Sequence, residues 1–274
     1  MPFFHSYGLI VALMCLCEGS KLIIVPKLRS ENYLSDVIYE HQINNLYLVP
    51  SLLAMMGKFP TFTKEKLSCL RHVWTSASKV SQHIQEKALE IIPEDAVLHH
   101  CYGMTETIFV TFTGPYVKPE SPGKLVSNIK CKIMRGEEVC GTDEVGELCF
   151  KGPTLMKGYL NNETATMESL QNGWLRSGDL GYRDKDGYFF IVDRIKEMIK
   201  YQGNQISPLE IEGIILELPD VLETGVVGLP NEDFGEFPAA GIVLKQSSTL
   251  TGEEVKEHVA RQVSPHKRLR GGVF

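Results

Sequence analysis

The run Cys101–Thr107, CYGMTET, places a phenol, a hydroxyl and a carboxylate close together in the sequence. The Tyr102 ring can stack on a flat ligand, and the Thr105 hydroxyl can donate a hydrogen bond to a phosphate oxygen. Glu106 can hold Mg²⁺, which takes hard oxygen ligands from few carboxylates together with phosphate. A second interpretation stays open, in which Thr105 caps a helix that runs toward Ile108 and Glu106 lies in its first turn.

An acidic and a basic residue, Asp179 and Arg194, flank a predicted hairpin in SGDLGYRDKDGYFFIVDR. Asp184–Gly187 is a turn signal, and Tyr188–Val192 is strand-like. Folding at this turn brings Asp179 and Arg194 to the same end of the hairpin. There the carboxylate can accept hydrogen bonds from two vicinal sugar hydroxyls, while the guanidinium binds the sugar or a neighbouring phosphate. The alternative is a plain ion pair at a strand end, which contributes little stability when exposed.

Other segments carry weaker signals. His5 lies among aromatic residues in PFFHSYG, and a single histidine on an apolar stretch is more often a hydrogen-bonded core residue than a catalytic one. The segment KGPTLMKGY, Lys151–Tyr159, is typical of a turn-rich loop without chemistry of its own.

Strand-like and helix-like segments alternate from residue 20 to about residue 113. The strand-like runs are KLIIV, NLYLV, RHVW and AVLHH. Helical spacing follows Ser30 and Pro50 and also relates Ile84, Ala88, Leu89 and Ile92. This alternation predicts parallel strands joined by crossover helices, with ligands bound at the carboxyl ends of the strands. The loops Thr75–Ser78 and His100–Glu106 lie at such ends.

The later part of the chain has a different pattern. After Gly123 short strands such as KCKIM and GELCFKG predict a β-rich subdomain, and after Arg194 a hairpin and a helix begun by Pro208 predict a small α+β unit. The predicted fold class is therefore α/β, with part of a large parallel-sheet domain (1–122), a small β-rich subdomain (123–194) and a small α+β C-terminal domain (195–274).

The bulk composition limits the classes of partner and location. The chain has 274 residues, 43% hydrophobic, and a net charge of −6 without a Lys/Arg block, which argues against nucleic acid as a partner. The seven cysteines contain no C-x-x-C pair, so free thiols in a reducing compartment are expected. The apolar N-terminal run lacks a basic segment and contains Glu18, so neither a signal peptide nor a membrane span is predicted. Oligomeric state stays open.

Several motifs occur in one fixed order: PFFHSYG, YGMTE, GELCFKGPTLMKGY, GWLRSGDLGY and DRIKEMIKYQGNQISPLEIE. Together they resemble the adenylate-forming family, which includes acyl- and aryl-CoA ligases, adenylation domains of peptide synthetases and beetle luciferases. The resemblance covers essentially the whole chain and is strongest to insect 4-coumarate–CoA-ligase-like and beetle luciferase-like acyl-CoA synthetases. It implies that ATP and a fatty or aryl carboxylic acid form an acyl-adenylate, which coenzyme A then converts to a thioester, and that the protein is intracellular, either peroxisomal or cytoplasmic.

The resemblance also implies roles for the residues that match its motifs. Asp179 resembles the ribose-binding residue with Arg194 beside it, and Glu106 resembles the magnesium ligand. His5 resembles a residue near the acyl carboxylate, where it stabilises charge as the adenylate forms. The predicted nucleotide-binding set is Ala77, Ser78, His100, Cys101, Tyr102, Gly103, Thr105, Asp179 and Arg194.

A second group of residues is implied for the later step and for the acid. Lys196 falls at the family's hinge, and Lys200 and Gln205 resemble residues brought to the phosphate during thioester formation. The predicted wall of the acid pocket is Tyr7, Ser76, Ala77, Met104 and Phe109. Luciferases are glycine-rich where this chain has Ser76–Ala77 and carry a small polar residue in place of Phe109, which argues against luciferin.

The chain departs from the family pattern at two places. The family's phosphate loop precedes the His5 motif, and its catalytic lysine follows the motif GGVF; neither occurs in these 274 residues. The expectation is a fragment of a longer ligase that is inactive alone. A luciferase-type monooxygenase and a non-catalytic nucleotide-binding remnant are the alternatives.

Overall fold

The structure, a computed structural model, describes residues 2–27, 30–76, 80, 82–113 and 118–274. It divides into two compact units. The first comprises Met1–Ser177 and Tyr182–Ile191, and the second comprises Gly178–Gly181 and Val192–Phe274. The domain boundaries expected after residues 122 and 194 stay predictions. The predicted site residues Ala77 and Ser78 lie outside the described residues.

The elements of the first unit follow the predicted alternation and then turn to strands. Its helices are α1 (Ser6–Glu18), α2 (Glu31–Glu40), α3 (Pro50–Lys58), α4 (Gln82–Ile91) and α5 (Glu163–Ser169). Its strands are β1 (Asn45–Leu48), β2 (His72–Thr75), β3 (Val97–Met104), β4 (Ile108–Phe112), β5 (Lys124–Leu125), β6 (Lys130–Arg135), β7 (Glu138–Val139), β8 (Gly146–Lys151) and β9 (Leu170–Gln171). Strands β10 (Trp174–Arg183) and β11 (Phe189–Arg194) contribute residues to both units.

The first sheet has the order β1-β2-β3-β4-β5 in the described part of the chain. The pairs β1–β2 and β2–β3 are parallel, as predicted, whereas β4 and β5 join antiparallel. Sequence features explain the local elements, since the Ser30 hydroxyl accepts a hydrogen bond from Tyr33 N at the start of α2 and Pro50 opens α3.

One predicted strand is wrong. The run KLIIV, Lys21–Val25, belongs to neither a helix nor a strand. Its apolar, β-branched composition favours extended backbone, but a strand also needs a neighbour for its backbone hydrogen bonds. Within the described residues, this run pairs with no strand of any sheet.

The second sheet has the order β11-β10-β8-β6-β7, with β9 beside β10. Its buried face is formed by alternate residues of β6 and β8, including Ile133, Leu148 and Phe150, together with Phe189. The hairpin between β10 and β11 is the one predicted from the sequence. The backbone N–H groups of Asp186 and Tyr188 each donate a hydrogen bond to Asp184 Oδ1 at 2.9 Å, and these two bonds close the turn.

The second unit has its own sheet and core. It contains β12 (Ile199–Tyr201), β13 (Asn204–Ile206), α6 (Pro208–Ile215), β14 (Val221–Asn231), β15 (Gly235–Leu244), α7 (Gly252–Gln262), a 3₁₀ turn (Pro265–Lys267) and β16 (Gly272–Val273). The sheet order is β13-β12-β15-β14, and β16 pairs with β15 in parallel. Fully buried aliphatic side chains on α6 and α7, among them Ile211, Ile215, Val255 and Val259, form the core of this unit.

The structure also bears on the state of the cysteines and on membrane-spanning helices. All seven cysteines are free thiols, as expected. Among the helices in the described ranges, none is both long and apolar enough to span a membrane.

Candidate functional site

A tight turn at residues 105–107 joins β3 to β4 and carries the candidate Thr105 and Glu106. The alternative in which Thr105 caps a helix is wrong, because the chain returns as strand β4 with Met104 opposite Ile108. The buried Thr107, which the sequence analysis did not select, stabilises the turn by accepting a hydrogen bond from Met104 N at 3.3 Å. Thr105 is exposed at the tip, where its hydroxyl is accessible to a ligand.

Gly103 is required by the close approach of its own strand to β4. A Cβ atom at this position would lie 1.8 Å from the carbonyl oxygen of Ile108, which is a backbone atom that cannot move aside easily. Ile108 has a φ of 64°, a left-handed conformation that is strained for a β-branched residue. The backbone around Gly103 is therefore held in a strained geometry, which is a frequent property of ligand-binding turns.

Glu106 forms two hydrogen bonds with the segment Lys151–Tyr159. Its backbone oxygen accepts a hydrogen bond from Met156 N, and its Oε1 accepts one from the Tyr159 hydroxyl, both at 2.7 Å. Burial, followed by the hydrogen bond to Glu106, raises the pKa of Tyr159. The expectation that this loop lacks chemistry missed Tyr159, because no local pattern shows that residues 106 and 159 meet.

Of the residues predicted to line an acid pocket, Tyr7 and Phe109 are in contact in the first unit. Tyr7 is buried, its hydroxyl donates to Trp74 O at 3.2 Å, and its ring lies edge-on to Phe109 with centroids 5.8 Å apart. Desolvation, and next the neighbouring Cys101, raises the pKa of the Tyr7 phenol, so the side chain is uncharged at neutral pH. The Ser76 hydroxyl is buried and donates to Cys101 O at 2.9 Å. Met104 ends β3 on the same strand pair as Phe109.

The remaining predicted residues of this unit have mainly structural contacts. His5 is exposed and caps α1, because its Nδ1 accepts a hydrogen bond from Tyr7 N at 3.1 Å. His100 is buried on β3, and its backbone N–H donates to Thr113 Oγ1 at 2.7 Å. Burial raises the pKa of the Cys101 thiol to about 12, which excludes a thiolate at neutral pH. Tyr102 is partly buried, with its ring centroid 6.1 Å from that of Phe150.

In the second unit, Asp179 and Arg194 meet as predicted. Asp179 Oδ1 lies 3.4 Å from Arg194 Nε, and the exposed fractions of the two side chains are 7% and 60%. The backbone N–H of Ile195 donates to Gly178 O at 2.8 Å, which holds the two strands together at this point. Arg194 Nη1 also lies 3.2 Å from Glu197 Oε1. The arrangement offers a sheltered carboxylate beside an accessible guanidinium.

A fully buried carboxylate supports this pair and was not predicted. Asp193 accepts hydrogen bonds from the Ser207 hydroxyl, from Leu209 N at 3.4 Å and from Arg194 N at 2.7 Å. Because Ser207 also caps α6, Asp193 links the end of β11 to the start of that helix. The sequence signal was the polar residue at the end of a strand just before Arg194.

The three residues expected to act later lie on one short segment of the second unit. Lys196 is exposed in the turn between β11 and β12. Lys200 and Gln205 are directly opposite each other on β12 and β13, and both are exposed. A two-residue turn, Gln202 and Gly203, has positive φ at both positions and sets this register.

The first unit contains helices, a five-stranded mixed sheet and the strained turn, and the second is a small α+β unit with the ion pair of Asp179 and Arg194. A family model described as AMP-binding enzyme matches residues 1–160, and one described as AMP-binding enzyme C-terminal domain matches residues 210–274. The chain belongs to this adenylate-forming family.

Individual relatives are similar over the whole of this chain. It is 38% identical over 281 residues to probable 4-coumarate–CoA ligase 3 of Dictyostelium discoideum, covering 100% of this chain and 51% of that protein. It is also 38% identical over 279 residues to luciferin 4-monooxygenase of Nipponoluciola cruciata, covering 100% and 50%. A solved structure of o-succinylbenzoate CoA synthetase from Bacillus subtilis, in complex with ATP and magnesium ion, matches with a TM-score of 0.82 at 28% identity, covering 100% and 56%. The chain thus spans about half the length of the relatives it matches.

Proposed function

We propose that the protein to which this chain belongs activates a carboxylic acid with ATP and transfers the acyl group to coenzyme A. The observation that carries the proposal is the sheltered Asp179 carboxylate beside the accessible Arg194 guanidinium, at the end of a strand pair in a chain of this family. Such a carboxylate can accept hydrogen bonds from two vicinal ribose hydroxyls. A guanidinium can donate two parallel hydrogen bonds to a phosphate.

The first unit supplies the other proposed nucleotide contacts. Tyr102 and Gly103 are proposed to pack on the adenine, and the exposed Thr105 hydroxyl to donate to the α-phosphate. The strained, side-chain-free backbone at Gly103 supports this role, because it allows a close approach of a flat ring. His100, Cys101 and the undescribed Ala77 and Ser78 complete the proposed set.

The donor set at Glu106 fits Mg²⁺. In the described ranges no group of three or more His, Cys, Asp or Glu side chains surrounds this residue, so it offers one carboxylate. Magnesium bound to nucleotides usually keeps one or two carboxylates together with phosphates and water, which matches this set. When bound, Mg²⁺ would neutralise charge on the phosphates, and Glu106 would hold it.

The later half-reaction is assigned to the second unit. We propose Lys196 as the hinge residue, and Lys200 and Gln205 as the pair presented to the phosphate during thioester formation. Their direct opposition across the hairpin supports a shared role, because both side chains project from the same face. His5 is proposed to stabilise the acid carboxylate; its Nδ1 is occupied as a helix cap, which leaves Nε2 for that task.

The acid itself is proposed to be fatty or aryl. The identity to a luciferin 4-monooxygenase favours luciferase-type oxidation as a second candidate. The bulk of the Phe109 ring against Tyr7 weighs against it, because a small residue is expected there in a luciferin pocket. An intracellular location, peroxisomal or cytoplasmic, belongs to the same proposal and is supported by the seven free thiols.

The test measures binding rather than turnover. Isothermal titration of the chain with AMP and with non-hydrolysable acyl-sulfamoyl adenosines, one aryl and one fatty, compares the nucleotide with mimics of the adenylate. We expect at least one acyl mimic to bind more tightly than AMP, because it also occupies the wall formed by Tyr7 and Phe109. Equal affinity for all three ligands would refute acid activation, and binding of AMP alone would favour a non-catalytic nucleotide-binding remnant.

A further inference from the structure

The turn that carries Glu106 is held by a loop far away in sequence. This loop, residues 152–161, contacts the turn through the backbone bond from Met156 N to Glu106 O and the bond from the Tyr159 hydroxyl to Glu106 Oε1. One bond fixes the backbone of Glu106 and the other fixes its carboxylate. Both are 2.7 Å long, within the range of well-formed hydrogen bonds.

Tyr159 is itself positioned by helix α5. Its backbone N–H donates to Thr166 Oγ1 at 2.8 Å, and the same hydroxyl donates to Asn162 O at 2.8 Å. The Asn162 side chain caps α5 by accepting a hydrogen bond from Ala165 N. Gly158 packs so closely that a Cβ atom there would lie 2.9 Å from Thr166 Cγ2. The Tyr159 hydroxyl is therefore presented from a well-supported backbone rather than from a free loop.

The hydroxyl is the side-chain group that orients the Glu106 carboxylate. Tyr159 donates to one oxygen of this carboxylate, Oε1. A carboxylate held through one oxygen presents the other in a fixed direction. Partners of this kind around a metal ligand fix its orientation and contribute strongly to metal affinity.

We propose that Tyr159 is a positioning residue for the divalent cation at Glu106: its hydroxyl holds Oε1 so that Oε2 faces the metal and the nucleotide phosphates. This inference rests on the proposed function, because it takes Glu106 as the magnesium ligand. It adds Tyr159, which lies outside the turn, to the residues of the proposed magnesium site. The segment Lys151–Tyr159, which the sequence indicates only as a loop, would then orient the metal ligand.

The experiment measures the effect of Mg²⁺ on ATP affinity by isothermal titration of the chain, with metal-free AMP binding as the reference. In the wild type, Mg²⁺ should tighten ATP binding. In Tyr159→Phe, which keeps the ring and removes the hydroxyl, we expect that gain to fall about tenfold while AMP affinity and the melting temperature stay unchanged. Tyr182→Phe is the matched control, because it removes a hydroxyl from a ring that stacks on Phe190 in the same unit.

Each other outcome has a definite meaning. An unchanged or larger magnesium gain in Tyr159→Phe overturns the inference, since the hydroxyl would then be neutral or a competitor of the metal. A lowered melting temperature with an unchanged gain shows a structural role only and overturns it as well. A full gain in Glu106→Gln shows that the metal is not at Glu106. Failure of the wild type to bind AMP instead refutes the proposed function itself.

Discussion

Asp179 and Arg194 form an ion pair in which only one partner is open to solvent. The Asp179 side chain is 7% exposed and the Arg194 side chain 60% exposed, with 3.4 Å between Oδ1 and Nε. Because the carboxylate is buried, the value of about 0–1 kcal/mol found for ion pairs with two exposed partners does not describe this pair. The pair thus combines a sheltered carboxylate with a guanidinium that a ligand can reach.

The close approach at Gly103 predicts an effect of a single methyl group. Gly103→Ala places a Cβ 1.8 Å from Ile108 O, so the backbone of β3 or β4 must shift at this position. We expect a loss of AMP affinity by at least about tenfold, in line with the displacement of one well-formed charged hydrogen bond. Titration calorimetry measures this loss.

The control for Gly103 is Gly225→Ala on β14, where a Cβ would meet nothing within 4 Å. That variant should bind AMP like the wild type and melt at a similar temperature. Normal AMP binding by Gly103→Ala would show that the strained turn does not contact the nucleotide.

The ring contact between Tyr7 and Phe109 predicts a change in acid preference. Phe109→Ala removes one of the two rings that pack 5.8 Å apart and opens the wall of the proposed pocket. We expect affinity to rise for acyl-sulfamoyl adenosines with bulky acyl groups and to stay constant for AMP, which does not reach this wall. A parallel change for AMP would instead indicate general damage to the fold.

Glu212 gives a prediction on pH. Burial raises the pKa of this carboxyl above its ordinary value of 4.5, although a hydrogen bond from Val226 N opposes the shift. The native state therefore holds the proton more tightly than the unfolded chain. The stability of the second unit falls as pH rises above the ordinary value of 4.5 and through the raised pKa of Glu212. Glu212→Gln keeps the acceptor for Val226 and removes the charge. Its melting temperature should exceed that of the wild type at pH 7 and match it at pH 4.

Glu253→Gln is the control for this measurement, because its side chain is 80% exposed on α7. It should shift the melting temperature little at either pH. A Glu212→Gln variant that is less stable than the wild type at pH 7 would contradict the proposed cost of burying the charge.

Local patterns predicted most of the strands and helices correctly, and long-range contacts explain the failures. The hairpin around Asp184 was readable because a turn signal and a strand lie next to each other in sequence. The strand expected at Lys21–Val25 is absent because pairing depends on a neighbour and not on composition alone.

In the candidate site, too, local patterns predicted the contacts between sequence neighbours and missed those between distant residues. The pairing of Asp179 with Arg194 followed from the predicted hairpin, whereas the position of Lys200 opposite Gln205 is known only from the structure. The contact of Tyr159 with Glu106 joins residues 53 positions apart, and periodicity carries no information at that separation. Helix and strand were ambiguous after Thr105, because a short apolar run suits both.

The most direct test of the central claim uses the ribose hydroxyls themselves. The affinities of AMP and 2′,3′-dideoxy-AMP are measured by titration calorimetry for the wild type, Asp179→Asn and Glu197→Gln. Glu197 serves as the control because its carboxylate also pairs with Arg194. If Asp179 binds the ribose, the wild type and Glu197→Gln should favour AMP by about tenfold or more, as expected for hydrogen bonds to a charged group. Asp179→Asn should bind the two ligands almost equally. Equal binding of both ligands by the wild type, or undiminished preference for AMP in Asp179→Asn, would contradict ribose binding by this pair.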